Sequence, residues 1–134
     1  MVLSDGTKVH LNSMSSLRFP VAFTTGKREV ELQGEAYFEV SKTGQPFIVN
    51  ANGIQVEVLG TTFNISAYPD EEYQTTLVNG SVKVSAEKGE SLILKPSQQA
   101  TIVSGGNSIR VRTVDTSFYT SWVKGKINFK DQRL

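Results

Sequence analysis

The side chains that could carry out chemistry in this sequence are few, and histidine is the scarcest of them. His10 is the sole histidine among 134 residues, so at most one imidazole is available for general acid and base catalysis. A Ser-His-Asp arrangement could be assembled from Ser4 or Ser13 with His10 and Asp5, but all of them lie within one short segment. Nothing in that segment supplies a separate oxyanion hole. We therefore interpret His10 as a surface histidine on a strand.

Four glutamates at odd positions form a second candidate, because glycosidases use a pair of carboxylates. In an extended strand Glu29, Glu31, Glu35 and Glu39 share one face, and glutamates two positions apart are about 7 Å from each other. A hydrolytic acid also needs a buried setting that raises its pKa, which this run of charges does not suggest. We interpret the row as a solvated strand face whose negative charge is balanced by Lys or Arg of adjacent strands. A hydrolase that uses this face is the alternative.

Metal and phosphate sites lack their usual patterns. The chain has no cysteine, which excludes disulfides and zinc sites built from thiolates. Residues 70–72 are acidic but lack the alternating ligands and the glycine of an EF-hand loop, so we expect an exposed loop there. The Gly26-Lys27-Arg28 sequence lacks the Ser or Thr that follows Lys in a phosphate-binding loop. We therefore expect no catalytic residue, no metal and no cofactor.

The charge balance and the apolar runs exclude two further classes of partner. There are 14 Lys and Arg against 13 Asp and Glu, so the net charge of +1 gives no electrostatic reason to expect nucleic acid or an anionic membrane. The apolar runs, such as residues 47–49 and 92–94, are far shorter than the roughly 20 residues of a membrane-spanning helix. No signal peptide is visible. A binding or structural role is the default that remains.

Short strands joined by glycine turns must position these residues. Apolar or small residues occupy the even positions and polar ones the odd positions from 29 to 40, which predicts a half-buried strand. Turns are expected at Asp5-Gly6, Asn52-Gly53, Asn79-Gly80, Lys88-Gly89 and residues 105–107. No segment has helical apolar spacing over three turns. The pattern predicts an all-β fold, either an irregular β-solenoid or a two-sheet sandwich, and the loose echo around Gly34, Gly60 and Gly80 fits both.

The last part of the chain differs from the rest. Polar Thr and Ser residues interrupt the strand pattern at 116–121, and a strand-like apolar pattern then resumes with the single tryptophan. We divide the chain into an all-β domain, residues 1–115, and a connector with the start of a second domain, residues 116–134. Trp122, Ile127 and Phe129 would expose a large apolar surface unless they fold back on the first domain or contact a neighbouring one. We predict an interdomain contact through these three residues.

The ordered segments resemble the FecR domain of membrane anti-sigma factors from Gram-negative bacteria. The resemblance extends from the start to about residue 103, and Ser97 departs from it, since the family usually has glycine after the proline at that position. The segments that carry it are residues 3–12, 18–20 with Phe23, 28–40, 46–49, 58–65, 76–80 and 94–100. Residues 121–134 resemble the family's approach to a second, C-terminal periplasmic domain.

The resemblance implies a role without catalysis. The full protein would carry a cytoplasmic segment that binds an ECF-type sigma factor, one transmembrane helix of an inner-membrane protein, this periplasmic domain, and a second periplasmic domain. It would relay the state of an outer-membrane TonB-dependent transporter to the sigma factor, with proteins as its only partners. Met1 would then be an artificial start at a domain boundary. A carbohydrate-binding β module that uses Tyr37, Tyr68 and Tyr73 is the alternative.

Overall fold

The computed structural model describes residues 1–23, 26–87, 89–102 and 108–127, without the side chains of the last four. Within these ranges the chain forms strands and a single helix, and the predicted all-β class is confirmed. The elements are β1 (Lys8–Leu11), β2 (Ser16–Arg18), β3 (Arg28–Glu39), β4 (Phe47–Ala51), β5 (Ile54–Val58), β6 (Thr62–Ala67), β7 (Tyr73–Asn79), β8 (Val82–Ser85), β9 (Ser91–Leu94), β10 (Gln98–Ile102), β11 (Arg110–Thr113) and α1 (Ser117–Ile127).

Strand β3 is long enough to belong to two sheets, which together form one curled sheet. The front sheet has the order β1-β3-β6-β7-β10-β11 and the back sheet the order β2-β3-β4-β5-β8-β9. Among the described strand pairs only β3 with β4 is parallel. Because antiparallel pairs dominate, the two-sheet description fits this topology better than a solenoid of stacked parallel strands.

The alternation of β3 places its even positions in one core between the two sheets. Val30, Leu32, Ala36 and Phe38 are buried, while the odd positions are exposed or half-buried. The Phe38 ring stacks on Phe63 of the front sheet with centroids 5.0 Å apart and meets Phe47 of the back sheet edge-on at 6.1 Å. The half-buried strand predicted for residues 29–40 is therefore confirmed, and its apolar face joins the two sheets.

Strand β3 crosses from one sheet to the other at Gly34. Residues 31–33 pair with β2, and residues 34–39 pair with β6. Gly34 has a φ of +94°, and a Cβ atom there would lie 2.2 Å from Oγ and 2.9 Å from Cα of Ser15. Only glycine fits this bend, because any side chain would be strained in backbone geometry and would overlap Ser15.

The predicted turns are found where the described residues allow them to be seen. Asn52 and Gly53, which connect β4 to β5, have φ values of 52° and 78°, the two positive values that a type I′ hairpin turn requires. The expected turns at Asp5-Gly6 and Asn79-Gly80 also contain a glycine with positive φ. Lys88 and residues 105–107, on which two further turns are expected, lie outside the described residues.

The strand-like pattern expected after residue 121 is wrong, because Ser117–Ile127 forms α1. The helix is begun by Asp115, whose Oδ1 accepts hydrogen bonds from the Ser117 N–H at 3.0 Å and the Ser117 hydroxyl at 2.7 Å. These two bonds lower the pKa of Asp115. The Thr and Ser residues that interrupt the strand pattern are thus the first turn of a helix.

Ser97 takes the backbone conformation that glycine would take after Pro96. Its φ is 71°, in the left-handed region, and its N–H donates to the Leu77 carbonyl at 2.9 Å. Its own carbonyl accepts from the Val114 N–H at 2.8 Å, so the strained residue helps to position the start of β10 beside the end of β11. The chain has serine where the family usually has glycine, but the backbone at this position is still left-handed.

We expect Ser97→Gly to raise the free energy of unfolding by about 0.5–1 kcal/mol. A non-glycine residue in the left-handed region is disfavoured by about 1–2 kcal/mol, and the larger backbone entropy of glycine in the unfolded chain offsets part of the gain. Urea unfolding measures the difference. Ser91→Gly, at an exposed strand position without positive φ, is the control and should be destabilising. Equal effects of the two changes would show that Ser97 is not strained.

Arg28 is a buried cation at the start of β3 that ties four segments together. Its side chain is 1% exposed, and Nη1 lies 2.6 Å from Oδ2 of Asp5, which is itself 8% exposed. The guanidinium also donates to the carbonyls of Ser41, Gln45 and Leu59. Its carbon Cζ lies 5.4 Å from the ring centroid of Phe47. Asp5 and Arg28 therefore connect the N-terminal hairpin and β3 to two loops, the one between β3 and β4 and the one between β5 and β6.

The Asp5 carboxyl should make stability depend on pH in the acid range. Burial acts to raise its pKa, but hydrogen bonds from Thr7 and Arg28 and the charge of Arg28 together hold it below the ordinary value of 3.8. A carboxyl with a lowered folded pKa contributes stability that is full above its unfolded pKa and is lost as the pH falls through its folded pKa. The gap in unfolding free energy between wild type and Asp5→Asn should therefore narrow below about pH 4. A gap that stays constant down to about pH 2 would contradict this.

Candidate functional site

One polar residue from each of four neighbouring strands lies in a single line across the outer face of the front sheet. In the strand register, Asn64 of β6 is opposite Thr76 of β7. Thr76 is opposite Gln99 of β10, which is opposite Arg112 of β11. The neighbouring residues Phe63, Leu77 and Ala100 belong to the core, so Asn64, Thr76 and Gln99 point away from it. The register with Gln99 places Arg112 on the same face. We call Asn64, Thr76, Gln99 and Arg112 the polar row.

Three members of the polar row are buried although they lie on an outer face. Asn64, Thr76 and Gln99 are 2%, 1% and 0% exposed. Gln99 Nε2 donates to Thr76 Oγ1 at 3.0 Å, and Gln99 Oε1 accepts from Arg112 Nε at 3.2 Å. Buried polar groups are tolerated when their hydrogen bonds are satisfied. Thr76, Gln99 and Arg112 are bonded from strand to strand, whereas the partners of Asn64 lie outside the row.

Helix α1 contacts both ends of the polar row. Trp122 Nε1 donates to Asn64 Oδ1 at 3.1 Å, and Arg112 Nη2 donates to the Tyr119 hydroxyl at 2.9 Å. Tyr119 and Trp122 are three residues apart and so share one face of the helix. Val123, next to Trp122, is 7% exposed. The helix is therefore held on the front sheet by two polar contacts.

Glu35 extends this network beyond the polar row. Its Oε2 accepts from Asn64 Nδ2 at 2.9 Å, and its Oε1 accepts from Asn12 Nδ2 at 2.9 Å. Because Asn64 also receives the indole N–H of Trp122, Glu35 and the tail helix share one partner. The arrangement can transmit a change in helix position to β3 and the N-terminal hairpin through hydrogen bonds.

The negative charges of Glu29 and Glu31 are balanced by different partners, as predicted for a solvated strand face. Glu31 lies 3.5 Å from Arg18 of the adjacent β2. Glu29 lies 3.6 Å from Lys27 and accepts from Asn50 at 2.7 Å. Because each carboxylate is bound to its own neighbours, no pair of them converges on a common point. The hydrolase alternative therefore has no geometric support.

The remaining candidate groups also fail to converge. His10 lies with Nε2 4.0 Å from Glu39 Oε1, and its side chain is partly exposed. Asp5, which a catalytic triad would require, is bound to Arg28 and Thr7. In the part of the chain that the structure describes, no group of three or more His, Cys, Asp and Glu residues could hold a metal ion.

Of the three residues proposed for an interdomain contact, the structure describes one side chain, that of Trp122. Trp122 contacts its own front sheet through Asn64. Ile127 is the last residue of α1, with no description of its side chain, and Phe129 lies outside the described residues. Helix α1 begins two residues after the proposed boundary at 115. The interdomain contact and the two-domain division stay predictions.

The three tyrosines proposed for a carbohydrate face do not all reach the surface. Tyr73 is 3% exposed in the core, where its hydroxyl bonds to Thr75 and burial raises its pKa. Tyr37 is half-buried on the outer face, and the hydroxyl of Tyr68 donates to the Ser13 carbonyl. The alternative of a carbohydrate-binding module therefore loses one of its three aromatic rings, Tyr73, to the core.

Sequence reasoning does not find the polar row or the Asp5–Arg28 pair. Outward polar residues such as Asn64 and Gln99 are ordinary on a half-exposed sheet, so their types carry no signal of burial. The signal lies in the strand register, which is not visible in a sequence. What the geometry can do is bind and position a helix, since no nucleophile, base and oxyanion hole are brought together among the described residues. The fold and site define an all-β domain that holds a C-terminal helix on one of its sheets.

Comparisons with known proteins identify the family. The family model of the FecR protein matches residues 1–83. Two crystal structures from Parabacteroides distasonis ATCC 8503, each provisionally described as an anti-sigma factor, have TM-scores of 0.88 at 34% and 35% identity. Each match covers 93% of this chain and 59% of the other, so the chain spans little more than half of those proteins. No curated protein matches the chain.

The chain belongs to the FecR family. The family is a regulatory one that acts in signalling at the cell envelope. Within the described residues, no helix has both the length and the apolar character needed to span a membrane.

Proposed function

We propose that this chain is the periplasmic signalling and scaffold domain of a single-pass inner-membrane anti-sigma factor. It relays the state of an outer-membrane TonB-dependent transporter to an ECF-type sigma factor in the cytoplasm, and it binds proteins without catalysing a reaction. Family membership supports the regulatory role. The solved relatives are longer than this chain, which covers 59% of them, and this supports the presence of further domains in the full protein. The observation that carries the relay is the docking of α1 on the polar row.

A relay requires an element with two arrangements whose balance a partner can change. Helix α1 suits this because it rests on polar groups. Release of the helix would expose Asn64, Thr76 and Gln99 to water, which can replace their hydrogen bonds, whereas release from an apolar bed would expose hydrocarbon. The free energy of release is therefore small compared with unfolding of the core.

The position of α1 after the last strand also favours this role. Residues that follow the helix lead toward the second periplasmic domain that we propose, and Trp122, Ile127 and Phe129 would contact that domain. A pull on the second domain would thus act first on Tyr119 and Trp122. Asn64 would then lose its hydrogen bond from Trp122, and Asn64 also donates to Glu35, which links the helix to the centre of β3.

Trp122→Ala in the full-length protein should change sigma-dependent transcription in the organism that encodes it. The substitution removes the indole that holds α1 on Asn64, so the genes affected should be those affected by deletion of the whole regulator. RNA sequencing measures both sets of genes, whichever sigma factor the regulator controls. Phe118→Ala is the matched control, since Phe118 lies on the same helix but is 79% exposed.

The two variants distinguish the proposal from a general loss of protein. Equal amounts of each variant in the membrane fraction establish that any difference reflects signalling. If Trp122→Ala and Phe118→Ala both leave transcription unchanged, the docked helix has no part in the relay. If deletion of the regulator itself affects no sigma-dependent gene, the proposed function is wrong.

A further inference from the structure

We propose that β11 is a docking edge for an extended acidic segment of a partner protein, which adds to the front sheet as a further strand. Among the described residues β11 pairs only with β10 and so ends the front sheet. All four of its residues, Arg110 to Thr113, are exposed. The inference concerns this edge and does not depend on the release of α1.

The backbone groups that face outward can be assigned from the register. The Val114 N–H donates to the Ser97 carbonyl of the turn before β10. Hydrogen bonding alternates along an antiparallel strand, so Arg112 and Arg110 also face β10. Val111 and Thr113 therefore direct their N–H and C=O groups away from the sheet. An added strand would find four backbone groups there.

The edge already binds one carboxylate. The N–H of Ile109, which has the same outward parity as Val111, donates to Oε1 of Glu90 at 2.7 Å. Glu90 is outside any strand, so its side chain acts as an isolated acceptor at the end of the edge. In this contact an outward N–H of the segment next to β11 binds a carboxylate of the same chain, the chemistry that we propose for Val111 and Thr113.

The side chains of β11 favour acidic residues at two positions of the partner. Arg110 and Arg112 are two positions apart and share the outer face, where they line a groove of about 380 Å³ with Gln74, Thr101 and Glu72. Arg110 makes an exposed ion pair with Glu72 at 3.6 Å, which is weak enough to be exchanged. Arg112 uses Nε and one Nη2 hydrogen on Gln99 and Tyr119, so three of its five N–H groups have no partner among the described residues.

The matching segment has an alternating sequence. Residues of an added strand that lie opposite Arg110 and Arg112 would be acidic, and the residue between them, opposite the partly exposed Val111, would be apolar. A second copy of this chain does not fit, because antiparallel pairing of two β11 edges would bring arginines of the same face together. Charge thus selects an acidic strand from another protein.

The test is a titration of the ¹⁵N-labelled chain with short peptides that differ only in order and charge. The first contains Thr-Glu-Val-Glu-Thr, the second Thr-Lys-Val-Lys-Thr, and the third the composition of the first with its two glutamates adjacent. The first should bind about tenfold more tightly than either of the others, and the amides of residues 111 and 113 should become protected from hydrogen exchange. Equal binding of the first and third peptides would overturn the alternating strand.

Two pairs of variants test the backbone and the charge. Val111→Pro removes an outward N–H without touching the β10 bonds, and it should weaken binding about tenfold relative to Val111→Thr, which keeps the N–H. Arg110→Glu should weaken binding of the acidic peptide by a similar factor and strengthen binding of the basic peptide. Unchanged binding in Val111→Pro, or in Arg110→Glu, would overturn the proposal, as would a dimer that protects residues 111 and 113 without peptide. None of these results would alter the transcription test of the relay.

Discussion

Replacement of Asp5 by alanine is expected to lower the free energy of unfolding by about 3–5 kcal/mol. Among the described residues, the change removes the only carboxylate on the buried guanidinium of Arg28, and it leaves a cation that is 1% exposed with carbonyl groups alone. Arg28 Nε already has no hydrogen-bond partner in the described part of the chain, so the site has little capacity to compensate. Urea unfolding followed by circular dichroism measures the loss.

Two controls separate the buried pair from a general effect of charge removal. Glu31→Ala breaks the exposed pair with Arg18 and should change the free energy of unfolding by no more than about 0.5 kcal/mol. The double variant Asp5→Ala with Arg28→Met removes both buried charges and should be more stable than Asp5→Ala alone. If Asp5→Ala proves as mild as Glu31→Ala, the pair does not connect the loops as described.

Gly34→Ala is expected to be the most damaging substitution of a glycine, with a loss of about 3 kcal/mol or more. A methyl group at this position would overlap Ser15 at 2.2 Å and would hold an alanine at a φ of +94°. Strand β3 could relieve the overlap only by a shift at the point where it changes sheets, which would disturb the pairing with β2 and β6 together. Thermal and urea unfolding measure the effect.

Gly44→Ala isolates the part of that loss that comes from backbone strain. Gly44 has a φ of +90° but open space around its Cβ position, so the same change should cost only about 1–2 kcal/mol. Ser15→Gly in the Gly34→Ala background should restore part of the stability because it removes two of the three overlapping atoms, Oγ and Cβ of Ser15. Equal losses at positions 34 and 44 would show that the close approach to Ser15 has no energetic effect.

The sequence predicts those features of the fold that depend on one strand or one turn alone. The alternation from 29 to 40 predicts the buried face of β3, because one residue in two must point into the core. Asn52-Gly53 predicts its turn because only a few residue types accept two positive φ values. Gly34 belongs to a loose echo in the sequence, but its role in a bend depends on Ser15, about twenty residues away.

The parts that escape prediction depend on contacts between distant elements. Helix α1 is 11 residues long and carries Gly125 and several Thr and Ser, so propensity alone does not identify it. Its N-terminal signal, Asp115 followed by Ser117, is short and is equally typical of a linker. Arg28 follows a loop in the sequence, where an exposed side chain is the ordinary expectation, and only the approach of Asp5 and three carbonyls explains its burial.

The most direct test of the central claim, that α1 is a separable element on the front sheet, uses the single tryptophan of the chain. Trp122 fluorescence reports docking on Asn64, while far-ultraviolet circular dichroism reports the strands. On addition of urea, Trp122 should become exposed to solvent at a lower concentration than that at which the sheets unfold, because the polar bed holds the helix weakly. Coincident transitions of the two signals would show that α1 is an integral part of the β domain and would contradict the claim.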